Sequence, residues 1–208
     1  MTSVAPAAPR LPEFLDRWRG NPATTSQIAR LERLAAALRA TPGCLGAALL
    51  GSFAKGSADR LSDLDLVVFC ADGASQAVFD AIGAQIAPSD TLMTFDGRHA
   101  PDSPYRALIF NDFTSCEFHV IPPTLPFALK QPYVELLSRD GCLAGRVCAS
   151  PAPGRDALPV YHGGDPWLAW ELLDCIKWLS RGDTAAAKRH LVRLGQAISA
   201  ADSTGTAG

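Results

Sequence analysis

Apolar residues recur along this chain in two different periods, and the change from one to the other marks its elements. Ile28, Leu31, Leu34, Ala35 and Leu38 fall at helical spacing, with Arg30, Glu32, Arg33 and Arg39 between them. This predicts a helix over 27–40 with a solvated charged face, ended by Pro42-Gly43. Residues 44–50 and 64–70 are apolar runs of strand length. A helix over 73–87 follows from apolar positions at 77/78, 81/82 and 86. Three weaker strands are expected at 91–95, 105–110 and 114–121, with turns at Asp96-Gly97 and Asn111-Asp112. Ahead of all these stands a short helix at 11–19, with Pro12 at an early, tolerated position, and residues 1–10 read as a mobile terminus. The order predicts an α/β (α+β) fold, a mixed sheet with flanking helices.

Pro122, Pro123 and Pro126 interrupt the strand pattern, so a boundary is placed near 123, dividing a first domain, 1–122, from a second, 123–208. The second begins with a short helix or strand at 132–141 and a Pro/Gly-rich loop at 150–164. Two helices follow, 165–181 with Asp165 as N-cap and Pro166 first, and 184–201, joined at Gly182-Asp183 as an antiparallel hairpin. Residues 203–208 read as a frayed end. A small helical C-terminal domain results. Within 165–181, Leu168, Leu172, Cys175, Ile176 and Leu179 make an apolar stripe, expected in the core. Beside it run Trp167, Glu171, Asp174 and Trp178. Two carboxylates framed by two indoles suit a cationic, hydroxylated ligand, through cation–π attraction and charge-assisted hydrogen bonds; packed tryptophans with solvated acids fit the pattern equally.

Between the two strong strand runs lies Gly51-Ser52-Phe53-Ala54-Lys55-Gly56-Ser57-Ala58-Asp59-Arg60-Leu61-Ser62-Asp63-Leu64-Asp65-Leu66. Glycine without a Cβ lets backbone approach an anion, and the N–H groups of such a turn with the Ser52 hydroxyl can cradle phosphate oxygens. Asp63 and Asp65, two apart at the start of the second strand, share a face. Convergent carboxylates beside a phosphate-binding turn suit Mg²⁺. Gly-Ser-x₃-Gly followed by Ser-Asp-x-Asp-Leu resembles the signature of the DNA polymerase β-like nucleotidyltransferase superfamily, which includes the small-molecule enzymes that adenylylate aminoglycosides. The resemblance covers about residues 44–121. It implies the same architecture, Mg²⁺ at Asp63 and Asp65, and nucleotide contacts from Gly51, Ser52, Lys55, Gly56 and Ser62.

A third carboxylate is expected from a neighbouring strand, and in the family it sits on a later strand as Asp or Glu. Glu117 is the candidate: in Ser115-Cys116-Glu117-Phe118-His119-Val120-Ile121 it shares the polar face with His119. An antiparallel neighbour of the Asp63/Asp65 strand would bring it to the same metals. Asp112 is the weaker substitute. His119, Glu171 and Asp174 are candidate general bases. His99 and His162 read as solvent residues, Asp59 as a turn residue, and His190 with Lys188, Arg189 and Arg193 as a solvated basic face.

Composition narrows the partners. With 48% hydrophobic and 19% charged residues the chain is globular, and a net charge of −2 disfavours nucleic acid as the main partner. No apolar run approaches the roughly 20 residues of a membrane span, and residues 1–12 lack the pattern of a secretory signal. Six dispersed cysteines without a Cys-x₂-Cys pair argue against zinc and for reduced core thiols in the cytoplasm. The activity expected is Mg²⁺-dependent transfer of a nucleoside monophosphate, AMP from ATP in the first instance, to a hydroxyl of a small molecule such as an aminoglycoside-like antibiotic. The alternatives are a protein-modifying nucleotidyltransferase of the toxin–antitoxin type and a non-catalytic nucleotide-binding module.

Overall fold

The computed structural model describes residues 8–148, 150 and 158–205. They fall into two compact units, Met1–Ala152 and Pro153–Gly208. In the first, α1 (Leu11–Trp18) and α2 (Thr25–Ala40) lead into β1 (Cys44–Leu49), a one-turn helix α3 (Gly51–Lys55) and β2 (Leu64–Cys70). Then come α4 (Ser75–Gly83), β3 (Thr91–Ala100), β4 (Ser103–Phe110), β5 (Ser115–Ile121), β6 (Leu129–Lys130), β7 (Val134–Ser138) and β8 (Val147–Cys148). Six strands form one mixed sheet in the order β3-β4-β5-β2-β1-β7, as the sequence predicts for its class, and β6 pairs with β8.

The two periods explain the layering. Residues 64, 66, 68 and 70 of β2 and 116, 118 and 120 of β5 point to the helical side, where they join the buried faces of α1, α2 and α4 in the main core. Residues 67, 69 and 121 point the other way, into a smaller cluster with Leu129, Tyr133 and Leu143. That cluster covers one end of the second face. The other end carries the polar residues of β2 and β5.

Three expectations change here. The first unit does not stop at 122: β7 pairs antiparallel with β1, so the prolines at 122, 123 and 126 mark only an excursion between two strands of one sheet. Asp96-Gly97 is not a turn but the middle of β3. Gly97 is needed there because a Cβ would lie 2.2 Å from the Tyr105 ring, and glycine in a strand commonly marks such close approach. Asp96 instead pairs with Arg106 across the strands at 2.6 Å. Nor is Arg30 solvated: it donates to Thr114 Oγ1 at 2.7 Å, pairs with Asp112 at 3.1 Å and lies 3.9 Å over the Phe110 ring.

In the second unit, α5 (Leu168–Ser180) and α6 (Thr184–Gly205) form the expected hairpin. Gly182 has φ +75°, and the Ala186 N–H donates to Asp183 Oδ1 to cap α6. A 3₁₀ turn, Asp165–Trp167, precedes α5, so Gly164 rather than Asp165 is the residue before the first turn. Part of the loop expected at 150–164, the first seven residues of the chain and its last three lie outside the described residues. Among the described residues no helix is long and apolar enough to cross a membrane.

All six cysteines are free thiols. Burial pushes Cys44 up to about 11 and raises Cys116 further. Cys148 moves the other way: hydrogen bonds from Ser150 lower it, against a smaller burial effect, and Lys130 Nζ stands 3.9 Å from its sulfur. Because the thiolate is the nucleophile, iodoacetamide at neutral pH should label Cys148 first, with Cys44 and Cys116 labelled only on unfolding. Peptide mapping by mass spectrometry reads the order, and early label on Cys116 would contradict its burial.

Candidate functional site

The chain leaves β1 at Leu50, whose N–H donates to the Asp65 carbonyl at 2.8 Å, and turns at once into α3. Gly51 makes that turn at φ +66°, a left-handed conformation that glycine adopts without strain. The space its side chain would fill is taken: a Cβ on Gly51 would lie 1.8 Å from Asp65 Oδ2. Phe53 anchors α3 in the main core, its ring 5.2 Å from Trp18 and 6.2 Å from Phe14. This holds Ser52 in place, and its Oγ is buried with no hydrogen-bond partner.

Residues 56–62, expected as part of a cradle, close on themselves. Ser62 is fully buried; it accepts from the Asp59 N–H at 2.9 Å and donates to Asp59 Oδ1 at 3.1 Å. Buried Gln27 of α2 donates to the carbonyls of Asp59, Arg60 and Ser62. Ser62 is therefore placed as a clamp on the loop that delivers Asp63. Lys55 and Gly56 are exposed at the end of α3. Gln27 gave no signal in the sequence, where it is one polar residue at the start of an amphipathic helix.

Glu117 is set beside Asp65, by a different route from the one expected. β5 is parallel to β2, not antiparallel, and Asp65 is the direct register partner of Glu117. Adjacent strands lie about 4.8 Å apart, so register partners on one face stand side by side. Asp63, immediately before β2, shares that face by the period of two. The three charges act together on a common neighbour: burial is the main cause of the raised Cys116 thiol, and Asp65, Glu117 and Asp63 add to it in that order. Among the described residues, no three His, Cys, Asp or Glu side chains form a group set to hold a metal ion.

Beyond Glu117 the polar face continues. His119 Nε2 lies 3.3 Å from Glu117 Oε1, and His119 Nδ1 lies 2.7 Å from His99 Nε2. The His99 ring stacks on Tyr105 at 4.7 Å and on His119 at 4.9 Å. His99 is thus no isolated solvent residue, because the extended β3 carries it past Gly97 to meet β5. Its pKa is lowered, by burial first and then by His119. Asp112, the substitute third ligand, is committed elsewhere: it accepts from the Thr114 N–H and hydroxyl and pairs with Arg30. Burial raises its pKa, and those contacts outweigh the effect and lower it.

In the second unit, Trp167 of the 3₁₀ turn and Glu171 and Asp174 of α5 are buried, and Trp178 is half-buried, so this stripe faces inward. Glu171 and Asp174 are 6% and 5% exposed, whereas Leu172, Ile176 and Leu179 of the expected core stripe are about half exposed. Glu171 accepts from the Tyr161 N–H at 2.9 Å and lies 3.1 Å from His190 Nε2. Asp174 lies 3.9 Å from Lys177, which is itself buried. His190, far from being part of a solvated basic face, packs against Trp178 with ring centroids 5.0 Å apart. His162 is exposed, 5.8 Å from the Trp167 ring.

No family model matches the chain, and no curated protein matches it. Among solved structures, a Cid1 chain described for RNA terminal uridylyl transferase activity is similar over 46% of this chain and 30% of its own, at 20% identity and a TM-score of 0.37. A cytoplasmic RNA terminal U-transferase is similar over 54% and 30%, at 18% identity and a TM-score of 0.36. The Cid1 poly(U) polymerase with MgGTP bound is similar over 49% and 33%, at 18% identity and a TM-score of 0.37. The chain spans about a third of the length of these structures. Overlap of that extent and quality carries no conclusion about activity.

Proposed function

We propose that the chain is a Mg²⁺-dependent nucleotidyltransferase that moves a nucleoside monophosphate, AMP from ATP in the first instance, onto a hydroxyl of a small molecule. The observation that carries this reading is the interlock of Gly51 and Asp65. A carboxylate oxygen occupies the position of the missing Cβ, at the mouth of a turn whose next residue holds out a buried, unpartnered hydroxyl. A turn built only for folding would need neither feature.

The donor set is all oxygen and anionic, which fits Mg²⁺, and Asp63, Asp65 and Glu117 are the residues assigned to hold it. Mg²⁺ usually completes its shell with substrate phosphates and water, so a closed protein cage is not required. Bound there, the ion would neutralise charge developing on the attacking and leaving oxygens. The chain's own residues divide the remaining work. Ser52 Oγ and the α3 backbone donate to phosphate oxygens, with Lys55 close by in sequence to meet the β- or γ-phosphate charge. His119 fixes the orientation of Glu117. The acceptor oxygen bonds to the α-phosphorus as the bond to the bridging oxygen breaks, pyrophosphate leaves with the electron pair, and the hydroxyl proton passes to a base.

The acceptor is assigned as a hydroxylated small molecule. Support for a cationic one, an aminoglycoside-like antibiotic included, is confined to the Trp167/Glu171/Asp174/Trp178 stripe, whose carboxylates already face His190 and Lys177 in the fold. The test is incubation of the purified protein with Mg²⁺, each α-labelled nucleoside triphosphate and a panel of aminoglycosides, polyols, an RNA oligonucleotide and a protein extract. Pyrophosphate release with label on a small molecule is the expected result. Label on RNA or protein would replace the acceptor, and no release together with no Mg²⁺-nucleotide binding in calorimetry would overturn the enzyme itself.

A further inference from the structure

β3, β4 and β5 bring three rings together on the sheet face that carries Glu117. Gly97, Tyr105 and His119 are register partners across these strands, and His99 follows Gly97 on the same face by the period of two. Gly97 leaves its part of that face bare, and the Tyr105 ring lies over it, within 2.2 Å of where a Cβ would stand. His99 rests on the Tyr105 ring at 4.7 Å, the two planes 25° apart. From this support its Nε2 meets His119 Nδ1 at 2.7 Å, while the other nitrogen of His119 lies 3.3 Å from Glu117 Oε1. A contact chain from Tyr105 through His99 and His119 thus ends on the carboxylate that stands beside Asp65.

Donors and acceptors give this chain a direction. An ionised carboxylate only accepts, and a neutral imidazole has one N–H and one lone pair. His119 donates to Glu117 only with its proton on Nε2, which leaves Nδ1 as an acceptor facing His99. His99 must then carry its own proton on Nε2 and donate it. The reversed order would turn a His119 lone pair toward the carboxylate. Which ring nitrogen is protonated is set by the hydrogen bond the other one makes, so a donor at His99 fixes both the tautomer and the rotation of His119. Burial and the adjacent His119 lower the His99 pKa, which favours the neutral ring that this order needs.

We propose that His99 is a positioning residue for Glu117 and acts through His119. This rests on the assignment of Asp63, Asp65 and Glu117 as Mg²⁺ ligands, and adds to it a residue outside the ligand set. Mg²⁺ demands near-ideal octahedral geometry, so a carboxylate held in one rotation binds it better than one free to turn. Hydrogen-bonding partners behind the ligands typically contribute about 10–100-fold to metal affinity or activity. The competing role for His99 is that of a ring packed on Tyr105, which would leave His119 to choose its own tautomer.

Two variants separate these roles. His99→Phe keeps a ring against Tyr105 and has no donor, whereas His99→Gln keeps an N–H donor and has no ring. The probe is Mn²⁺ alone, in place of Mg²⁺, its binding to the full chain followed by electron paramagnetic resonance. His99→Phe should weaken that binding by about tenfold or more, and His99→Gln should recover most of the loss. Nitrogen-15 spectra of the histidine side chains, without metal and with both rings neutral, give a second readout. His119 should appear as a single Nε2–H form in the wild-type chain and as a mixture of both tautomers in His99→Phe. Wild-type Mn²⁺ affinity in His99→Phe overturns the proposal. So does a His119 proton on Nδ1 in the wild-type chain, or an equal loss in both variants, which would make the ring and not its N–H the active part. A wild-type chain that binds no Mn²⁺ removes the metal assignment and the proposal together, an outcome distinct from a wild-type chain that binds and variants that match it. His99 is exposed, so both variants should keep the wild-type circular dichroism spectrum. Should His99→Phe fail to fold, the wild-type tautomer decides alone.

Discussion

Asp65→Ala should lower nucleotidyl transfer by about 10³-fold or more and leave the sheet folded. The size follows from the role: stabilising charge on the transferred phosphoryl group is worth several kcal/mol, and each 1.36 kcal/mol is tenfold in rate. The fold should survive because Asp65 is only half-buried and sits beside Glu117 across the strand pair. Removing one of two adjacent carboxylates relieves repulsion. Asp65→Asn is the sharper form of the test, since the amide keeps the volume that fits against Gly51 and lacks the charge. Pyrophosphate release and a thermal melt with and without Mg²⁺-nucleotide measure the two halves. Wild-type transfer in either variant would remove Asp65 from the metal site. An equal loss in Glu117→Gln would extend the assignment to its register partner, and full activity there would leave Glu117 as a strand residue held by His119.

Gly51→Ala should be nearly as damaging, to activity and stability at once. At φ +66° an alanine carries a penalty of roughly 1–2 kcal/mol for the left-handed conformation alone. Its Cβ would also need the place of Asp65 Oδ2, 1.8 Å away, so either α3 or the carboxylate must move. Both outcomes separate Ser52 from Asp65, and transfer should fall with stability. The steric part has a specific signature. Adding Asp65→Ala to Gly51→Ala should restore some melting temperature, because the clash is gone while the backbone penalty stays. A coupling of about 0.5–3 kcal/mol in the double-mutant cycle is expected for groups in direct contact. Strict additivity would mean that Gly51 is required only for its conformation, and the interlock that carries the functional reading would lose its support.

Much of this site was legible one residue at a time. The runs at 44–50 and 64–70 became β1 and β2 because a mostly apolar run of that length buries most of both faces of a strand, Asp65 being the polar exception in β2. The spacing Gly51-Ser52 and Asp63-x-Asp65 located the turn and the carboxylates, since local conformation and the period of two are properties of a short stretch. Glu117 and His119 shared a strand face for the same reason. The helix pattern 28/31/34/35/38 named five residues that are indeed buried.

What the sequence could not contain is which surface meets which. The direction of β5 relative to β2 depends on the route taken through α4, β3 and β4, and only that route sets Asp65 opposite Glu117. Asp96-Gly97 has the composition of a turn, yet the Tyr105 ring across the strand pair, 105 being register partner to 97, is what requires glycine there. Pro122-Pro123 looks like a boundary until β7 returns to pair with β1. Helical periodicity grouped Leu168, Leu172, Cys175, Ile176 and Leu179 on one stripe and Trp167, Glu171, Asp174 and Trp178 on another; in the structure Cys175 is buried while Leu172, Ile176 and Leu179 are exposed, so the first stripe is divided. Periodicity then assigned the core to the aliphatic stripe, because a helix considered alone gains most by removing its aliphatic side chains from water. The hairpin chose the other stripe: His190, seven residues beyond the Asp183 cap, arrives against Glu171 and Trp178 and makes a buried polar seam. Periodicity determines which residues travel together; the partner that covers them is fixed only by the packing of elements distant in the chain.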